Sequence, residues 1–181
     1  HRNTLRLLQG AKAARSSGNT EDAVRAYRAY LQRASTDVDA LRDYTDLLWS
    51  RLETSPESVG ETIRAFRRLN RLSPDDIQTM RRLTQLHLAV RDFVSADELA
   101  VHWTQLAPDE IDAVLLLAQA RHGLGKTAET AKLLSDAATA KPNQARLYPP
   151  LIELLTMHLN RPDEARQWVE KALESSPDAY E

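Results

Sequence analysis

Four prolines recur along this chain at a nearly constant interval. Pro74, Pro108, Pro142 and Pro177 are separated by 34, 34 and 35 residues, and the apolar residues between them repeat one pattern. Self-similarity with a period of about 34 residues is typical of stacked helical hairpins, in which each unit buries its apolar face against its neighbours. The period therefore predicts a repeat array that offers an extended surface.

The unit between Pro74 and Pro108 shows the pattern most clearly. Its apolar residues form two groups with a spacing of three or four, which places each group on one face of a helix. The first group is Met80, Leu83 and Leu86, and the second is Ala96, Leu99, Ala100 and Trp103. The other units repeat these two groups, and no sustained two-residue alternation occurs. We therefore predict ten principal helices and no sheet, an all-α fold.

The second unit is longer than the others. Ser35 stands where the first unit would close with proline, and Pro74 follows it by 39 residues, so about five extra residues lie around 53–60. In that stretch Ser55 and Pro56 are typical of an N-cap followed by proline in the first helical turn.

Glycine and proline also mark two places in the last two units. Gly123 and Gly125 can adopt the positive φ that ends a helix, and we expect the turn of the fourth hairpin there. Pro149 and Pro150 interrupt the first helix of the fifth unit, which we expect to begin late or to be kinked.

These units resemble the tetratricopeptide repeat (TPR) family. The family pattern is a large residue, a two-residue gap to Leu and a small residue, then Ala-x-x-x-aromatic and a terminal proline, and the five units match it in register, each with departures, over residues 4–179. Arg91 and Leu52 replace the family's turn glycine, and Thr62 and Thr130 replace its alanine. The resemblance implies a single right-handed α-solenoid over residues 1–181, with repeats at 4–37, 38–76, 77–110, 111–144 and 145–179.

The register, the insert and the Leu159–Ala165 stretch are also similar to the repeat arrays of large bacterial multi-TPR proteins. A solenoid normally finishes with a polar capping helix, and none follows Pro177. We therefore expect a segment of a longer protein, with an open C-terminal end available for self-association. By analogy with such proteins, the bacterial cell envelope is the expected location.

Composition excludes several classes of function. The net charge of −2 indicates neither nucleic acid nor an anionic membrane as the partner. With no cysteine, disulfides and thiolate metal sites are impossible. No apolar run approaches the roughly 18 residues of a membrane-spanning helix, so we expect no direct membrane insertion by this chain.

Two patterns that are associated with ligands have simpler explanations. The stretch 122–127 ends like a phosphate-binding loop, but Ala120 stands where the first glycine is required, and a helix precedes it where the motif needs a strand. His87, His122 and His158 recur at spacings of 35 and 36, yet no carboxylate or cysteine recurs beside them at ligand spacing. We interpret them as structural or solvated histidines. No catalytic constellation is present, so the sequence predicts neither an enzyme nor a cofactor or metal site.

Arginines and tryptophans remain as candidate contact residues. Six arginines at 64, 67, 68, 71, 81 and 82 form the densest basic cluster, which we interpret as a solvated helical face with an acidic protein partner as the alternative. Trp103 and Trp168 fall on apolar positions of second helices. Trp49 is the tryptophan that we expect to contact a partner.

The family resemblance implies a concave groove lined by first helices that binds a protein or peptide segment. The lining residues that the resemblance implies are Gln9, Lys12, Arg42, Asp43, Asp46, Gln78, Arg81, Arg82, Gln85, Asp112, Leu116, Gln119 and Glu153. We expect Asp43 and Asp46 to hold the nearby arginines when no partner is bound. A protein-interaction scaffold is thus the leading function. A structural spacer or self-associating stalk, and a regulatory domain of an enzyme outside this chain, remain as alternatives.

Overall fold

The computed structural model describes residues 2–175, and helices are the only regular secondary structure in that range. The ten α-helices are α1 (Arg2–Ser16), α2 (Thr20–Leu31), α3 (Val38–Arg51), α4 (Val59–Leu72), α5 (Ile77–Ala89), α6 (Phe93–Leu106), α7 (Ile111–Gly123), α8 (Thr127–Ala140), α9 (Tyr148–Glu153) and α10 (Pro162–Ser175). The predicted ten helices without a sheet are confirmed for these residues. None of the described helices is both long and apolar enough to cross a bilayer.

The described chain divides into two compact units, and the boundary falls inside α5 between Leu83 and Thr84. In unit 1 (residues 2–83), α1 to α4 pack as consecutive neighbours around Tyr27, Leu41, Leu48 and Leu69. In unit 2 (residues 84–175), α6 to α10 do the same, and the core holds Trp103, Leu134, Tyr148, Leu151, Leu155 and Trp168. One continuous array over residues 1–181 stays a prediction, and its closing Pro177 lies outside the described residues.

Side chains cap several of these helices at their N-termini. Asn19, Asp37 and Asp92 each precede a helix and accept a hydrogen bond from the backbone N–H three residues later, at 3.2, 3.0 and 3.3 Å. A cap of this kind satisfies one of the four N–H groups that a helix leaves without a partner. The pKa of Asp37 is lowered, mainly by the hydrogen bond from the Ala40 N–H and secondly by the bond from the Tyr30 hydroxyl.

Four of the five hairpins turn on a single residue in the left-handed region. These residues are Gly18 (φ 74°), Arg91 (φ 59°), Gly125 (φ 77°) and Asn160 (φ 51°). Arg91 thus adopts the glycine-like conformation although it carries a side chain. Leu52 does not adopt this conformation, since its φ of −59° lies in the right-handed region. In the second hairpin the chain reverses after Leu52, within the longer connection.

Gly123 does not act as predicted. It is the last residue of α7, and Gly125 alone of the two has a positive φ. The requirement for glycine at 123 is steric, because a Cβ atom placed there would overlap the ring of Phe93. Close approach of two helices, and not the end of a helix, explains this residue.

The insert in the second hairpin forms a 3₁₀ turn, Pro56–Ser58, immediately before α4. Pro56 occupies the start of this turn as expected, but the Ser55 side chain makes no capping hydrogen bond. Instead, the Ser55 carbonyl accepts bonds from the Ser58 N–H at 3.0 Å and the Ser58 hydroxyl at 2.7 Å.

The first helix of the last hairpin begins late, as predicted. A 3₁₀ turn over Ala145–Leu147 leads into α9, and Pro149 and Pro150 fit in its first turn, where no backbone N–H partner is needed. The helix then widens into a π-helical segment, Leu154–His158, closed by a 3.0 Å bond from the Leu159 N–H to the Leu154 carbonyl. Nothing in the sequence pattern predicted this segment.

Candidate protein-interaction surface

The first helices of unit 1 are joined by a ladder of ion pairs on their polar faces. Arg15 of α1 pairs with Asp43 of α3 and lies 3.9 Å from Asp46, one turn along the same helix. Asp46 in turn pairs with Arg82 of α5. Alternating charges therefore connect three helices, and we call Arg15, Asp43, Asp46, Arg82 and Trp49 the unit 1 wall.

Trp49 belongs to this wall through Arg82. The Arg82 guanidinium lies 5.4 Å from the centroid of the half-buried Trp49 ring, within the range of a cation–π contact. On its other side, the Trp49 ring meets Phe66 edge to face, with ring centroids 6.1 Å apart. Aromatic packing thus fixes the indole, and the indole positions the arginine.

Asp43 is the most firmly held carboxylate of the wall. Besides its pair with Arg15, it accepts a 2.7 Å hydrogen bond from the Tyr27 hydroxyl. Burial, reinforced by this bond to Asp43, raises the pKa of Tyr27 to about 12. Burial on its own would lower the pKa of Arg15. The hydrogen bond with Asp43 and the negative charge of Asp43 have the larger combined effect, so the net result is a raised pKa.

A cavity of about 310 Å³ lies beside the wall, between α3, α4 and α5. Arg42 and Asp76 form an ion pair at 3.0 Å on its rim, and Asp76 also accepts a bond from the Thr79 N–H at 3.2 Å. We call this cavity the α3/α5 cavity. It is lined by Arg42, Thr45, Asp46, Phe66, Leu69, Asp76, Gln78, Thr79 and Arg82.

The structure brings some of the predicted groove residues together and leaves others apart. Arg42, Asp46, Gln78 and Arg82 line the α3/α5 cavity, whereas exposed Lys12 on α1 does not. Arg81 is half-buried on α5. The expected pairing is found for Asp46 with Arg82, but Asp43 is paired with Arg15 instead, and Arg42 with Asp76.

Of the remaining predicted residues, Gln9 is exposed on α1, and the others belong to unit 2. Gln85 is exposed on α5, and Leu116 is half-buried on α7. Asp112 of α7 pairs with Arg146 at 2.7 Å. Gln119 and Glu153, from α7 and α9, line a cavity of about 280 Å³ together with His122 and His158.

Sequence reasoning did not single out Arg15 or Asp76 for the surface. The signal for Asp76 was available, because it follows Asp37 by 39 residues, the length of the second unit, and both aspartates cap the helix that comes next. Arg15 carried no such signal, because its role depends on the packing of α1 against α3.

The arginine cluster divides between helices as predicted, and part of it is structural. Arg68 of α4 donates to the Ser35 carbonyl at 2.8 Å and to the Leu31 carbonyl at 3.0 Å, which fastens α4 to the end of α2. Arg28 of α2 forms a two-bond pair with Glu61, each bond 2.8 Å long. The interpretation as a solvated face therefore fits Arg64, Arg67 and Arg71, which are exposed on α4, better than it fits half-buried Arg68.

Glu61 also accepts a hydrogen bond from the Tyr44 hydroxyl. Burial and this bond raise the pKa of Tyr44 to about 12. Burial alone would raise the pKa of Glu61, but its bonds with Tyr44 and Arg28 lower it. Glu61 is therefore the ionised centre that connects α2, α3 and α4.

His87 is 1% exposed, and its Nδ1 lies 2.9 Å from Asp92 Oδ2. Hydrogen bonding to Ser95, with a smaller contribution from His87, lowers the pKa of Asp92. The same aspartate caps α6, so His87 is a structural histidine that supports the turn of its hairpin. No group of three or more His, Asp or Glu side chains in residues 2–175 is arranged to hold a metal ion.

Comparison with known proteins identifies the fold. No protein-family model and no curated protein sequence matches the chain. Among solved structures, one described as the crystal structure of MamA protein aligns with a TM-score of 0.75 at 17% identity, covering 96% of this chain and 92% of the other. MamA 41-end from Desulfovibrio magneticus RS-1 aligns at 0.71 and 15% identity, covering 98% and 97%. The chain thus has the TPR-like helical-repeat fold of these structures.

Proposed function

We propose that the chain is a protein-interaction scaffold that binds a partner segment on the first helices of its hairpins. The observation that carries the proposal is the unit 1 wall, where alternating charges from α1, α3 and α5 converge beside the α3/α5 cavity. A segment with both carboxylates and apolar side chains fits this combination. The proposal gives the chain a binding role and no catalytic step.

The ion pairs of the wall and of the cavity rim are weak enough to be exchanged. The side chains of Arg42 and Asp46 are both 48% exposed, and ion pairs in such positions contribute about 0–1 kcal/mol. A partner carboxylate can therefore replace Asp76 on Arg42 or Asp46 on Arg82 with little net loss. The partner's apolar side chains would gain by entering the cavity above Phe66 and Leu69.

Charge reversal tests the proposal. Partners captured by the wild-type chain are compared with those captured by the triple variant Arg42→Glu, Arg81→Glu, Arg82→Glu. A matched control, Arg25→Glu, Arg64→Glu, Arg71→Glu, makes the same change of net charge on the second helices α2 and α4. We expect the triple variant to lose the partner at least about tenfold while the control retains it, because the paired arginines Arg42 and Arg82 line the α3/α5 cavity that the partner's apolar side chains would enter.

Circular dichroism confirms that both variants are folded before they are compared. Because Arg81 is half-buried, a double variant without that substitution provides a second measurement. If every captured partner survives the reversal in a folded protein, the wall is not the binding surface, and the structural-spacer alternative takes the lead.

A further inference from the structure

Two histidines meet at the cavity of unit 2. His122 lies near the end of α7, and His158 is the last residue of the π-helical segment. Their ring centroids are 4.6 Å apart, and the ring planes are inclined by 65°. The cavity that they share is lined by Leu115, Ala118, Gln119, His122, Thr130, Leu134, Pro150, Glu153, Leu154 and His158.

The His122 ring has an unmet polar atom. Its Nδ1 is shielded from solvent and has no hydrogen-bond partner. Buried ring nitrogens normally find a partner, because an unmet donor or lone pair loses its interaction with water without replacement. A neutral imidazole nitrogen without a proton is also a metal ligand, and a bound ion would satisfy it.

The separation of the rings fits two imidazoles bound to one ion. With a metal–nitrogen distance of about 2.1 Å and the ring centre about 1.1 Å beyond the nitrogen, each centroid lies about 3.2 Å from the metal. Two such rings are about 4.5 Å apart at a ligand angle of 90°, and about 5.2 Å apart at the tetrahedral angle. The observed 4.6 Å lies at the right-angle end.

The π-helical segment places oxygen donors on the same side. Residues on one face of an α-helix are three or four apart, but Glu153 and His158, five apart, both line this cavity. The extra residue of the π turn explains this placement, and such turns occur frequently at functional sites. Gln119 of α7 also lines the cavity, so carboxylate and amide oxygens accompany the two imidazoles.

We propose that His122 and His158 bind one divalent transition-metal ion, for which Ni²⁺ serves as the probe. Imidazole nitrogen is a suitable ligand for Ni²⁺, Cu²⁺ and Zn²⁺. Two protein nitrogens leave the other positions to water, or to Glu153 after a rotamer change. The site is independent of the unit 1 wall and of the proposed scaffold function.

Nickel titration tests the site. Ni²⁺ is paramagnetic, so amide NMR signals close to the bound ion broaden first. The experiments use a His1→Ser background, because His1 offers a competing imidazole. We expect broadening to begin at the end of α7 and in residues 154–158, with one ion per chain in calorimetry and an increase in melting temperature from binding to the folded state.

Three variants supply the controls. His122→Gln and His158→Gln should each weaken Ni²⁺ binding about tenfold or more, whereas His102→Gln on α6 should leave it unchanged. His158 is exposed, so its replacement should not impair folding. Unchanged affinity in both single variants, or broadening centred elsewhere, would overturn the proposal.

Discussion

The contact between Gly123 and Phe93 gives a prediction whose sign depends on packing. An alanine Cβ at 123 would overlap the Phe93 ring, so Gly123→Ala forces that ring to move. Such overpacking costs about 1–3 kcal/mol, against a gain of about 0.5–1 kcal/mol from replacing glycine in a helix. From the centres of these two ranges we expect a net loss of about 1 kcal/mol in the free energy of unfolding.

The same substitution should become favourable once the ring is gone. In a Phe93→Ala background the overlap is absent, and only the helix gain of about 0.5–1 kcal/mol remains. Phe93→Ala also removes the stacking of Arg91, whose guanidinium lies 5.7 Å from the ring centroid. That loss is common to both arms of the double-mutant cycle and cancels. The coupling between the two sites should therefore be about 1–3 kcal/mol.

Urea denaturation of the four proteins measures the coupling, and Gly125→Ala is the matched control. Gly125 has a φ of 77°, and no atom lies within 4 Å of the position that a Cβ would occupy, so alanine there should cost about 1–2 kcal/mol through the backbone alone. That cost should be the same with and without Phe93. If Gly123→Ala destabilises equally in both backgrounds, the explanation by overlap is refuted.

Two further predictions concern the core and a helix cap. Trp103 is fully buried and Arg67 is exposed, so Trp103→Ala should cost about 3–5 kcal/mol and Arg67→Ala within about 0.5 kcal/mol; equal melting temperatures would contradict the repeat register. Asp37→Ala should cost about 1 kcal/mol at neutral pH through loss of the α3 cap. Because the folded-state pKa of Asp37 lies below its ordinary value of 3.8, its contribution is present above that pH and disappears as the pH falls through the folded-state pKa. Urea titrations from neutral to strongly acidic pH should show the free energies of unfolding of the wild type and of Asp37→Ala converging at the acid end. A difference in free energy that stays constant with pH would exclude the Asp37 carboxylate as its cause.

The sequence predicted what depends on local pattern. Apolar spacing placed Met80 and Leu83 on the buried face of α5 and Trp103 on that of α6, and all three are buried. The second unit's extra residues and the late start before Pro149 and Pro150 were also visible, because chain length and proline act at the position where they occur. Spacing, however, assigned Gly123 to a turn, since a glycine needed for close packing looks the same in sequence as one needed for a positive φ.

What remains was decided by tertiary structure. The pairing of Asp43 with Arg15, and of Arg42 with Asp76, depends on which helix faces lie against each other, and several arginines were within plausible reach of each aspartate. The meeting of His122 and His158 required a π turn whose hydrogen bonding no residue pattern announces. The sequence by itself thus determined an all-α chain of helical hairpins, through a periodicity that each helix carries alone. Only the packed structure determined the surface, because a side chain's partner is set by residues tens of positions away.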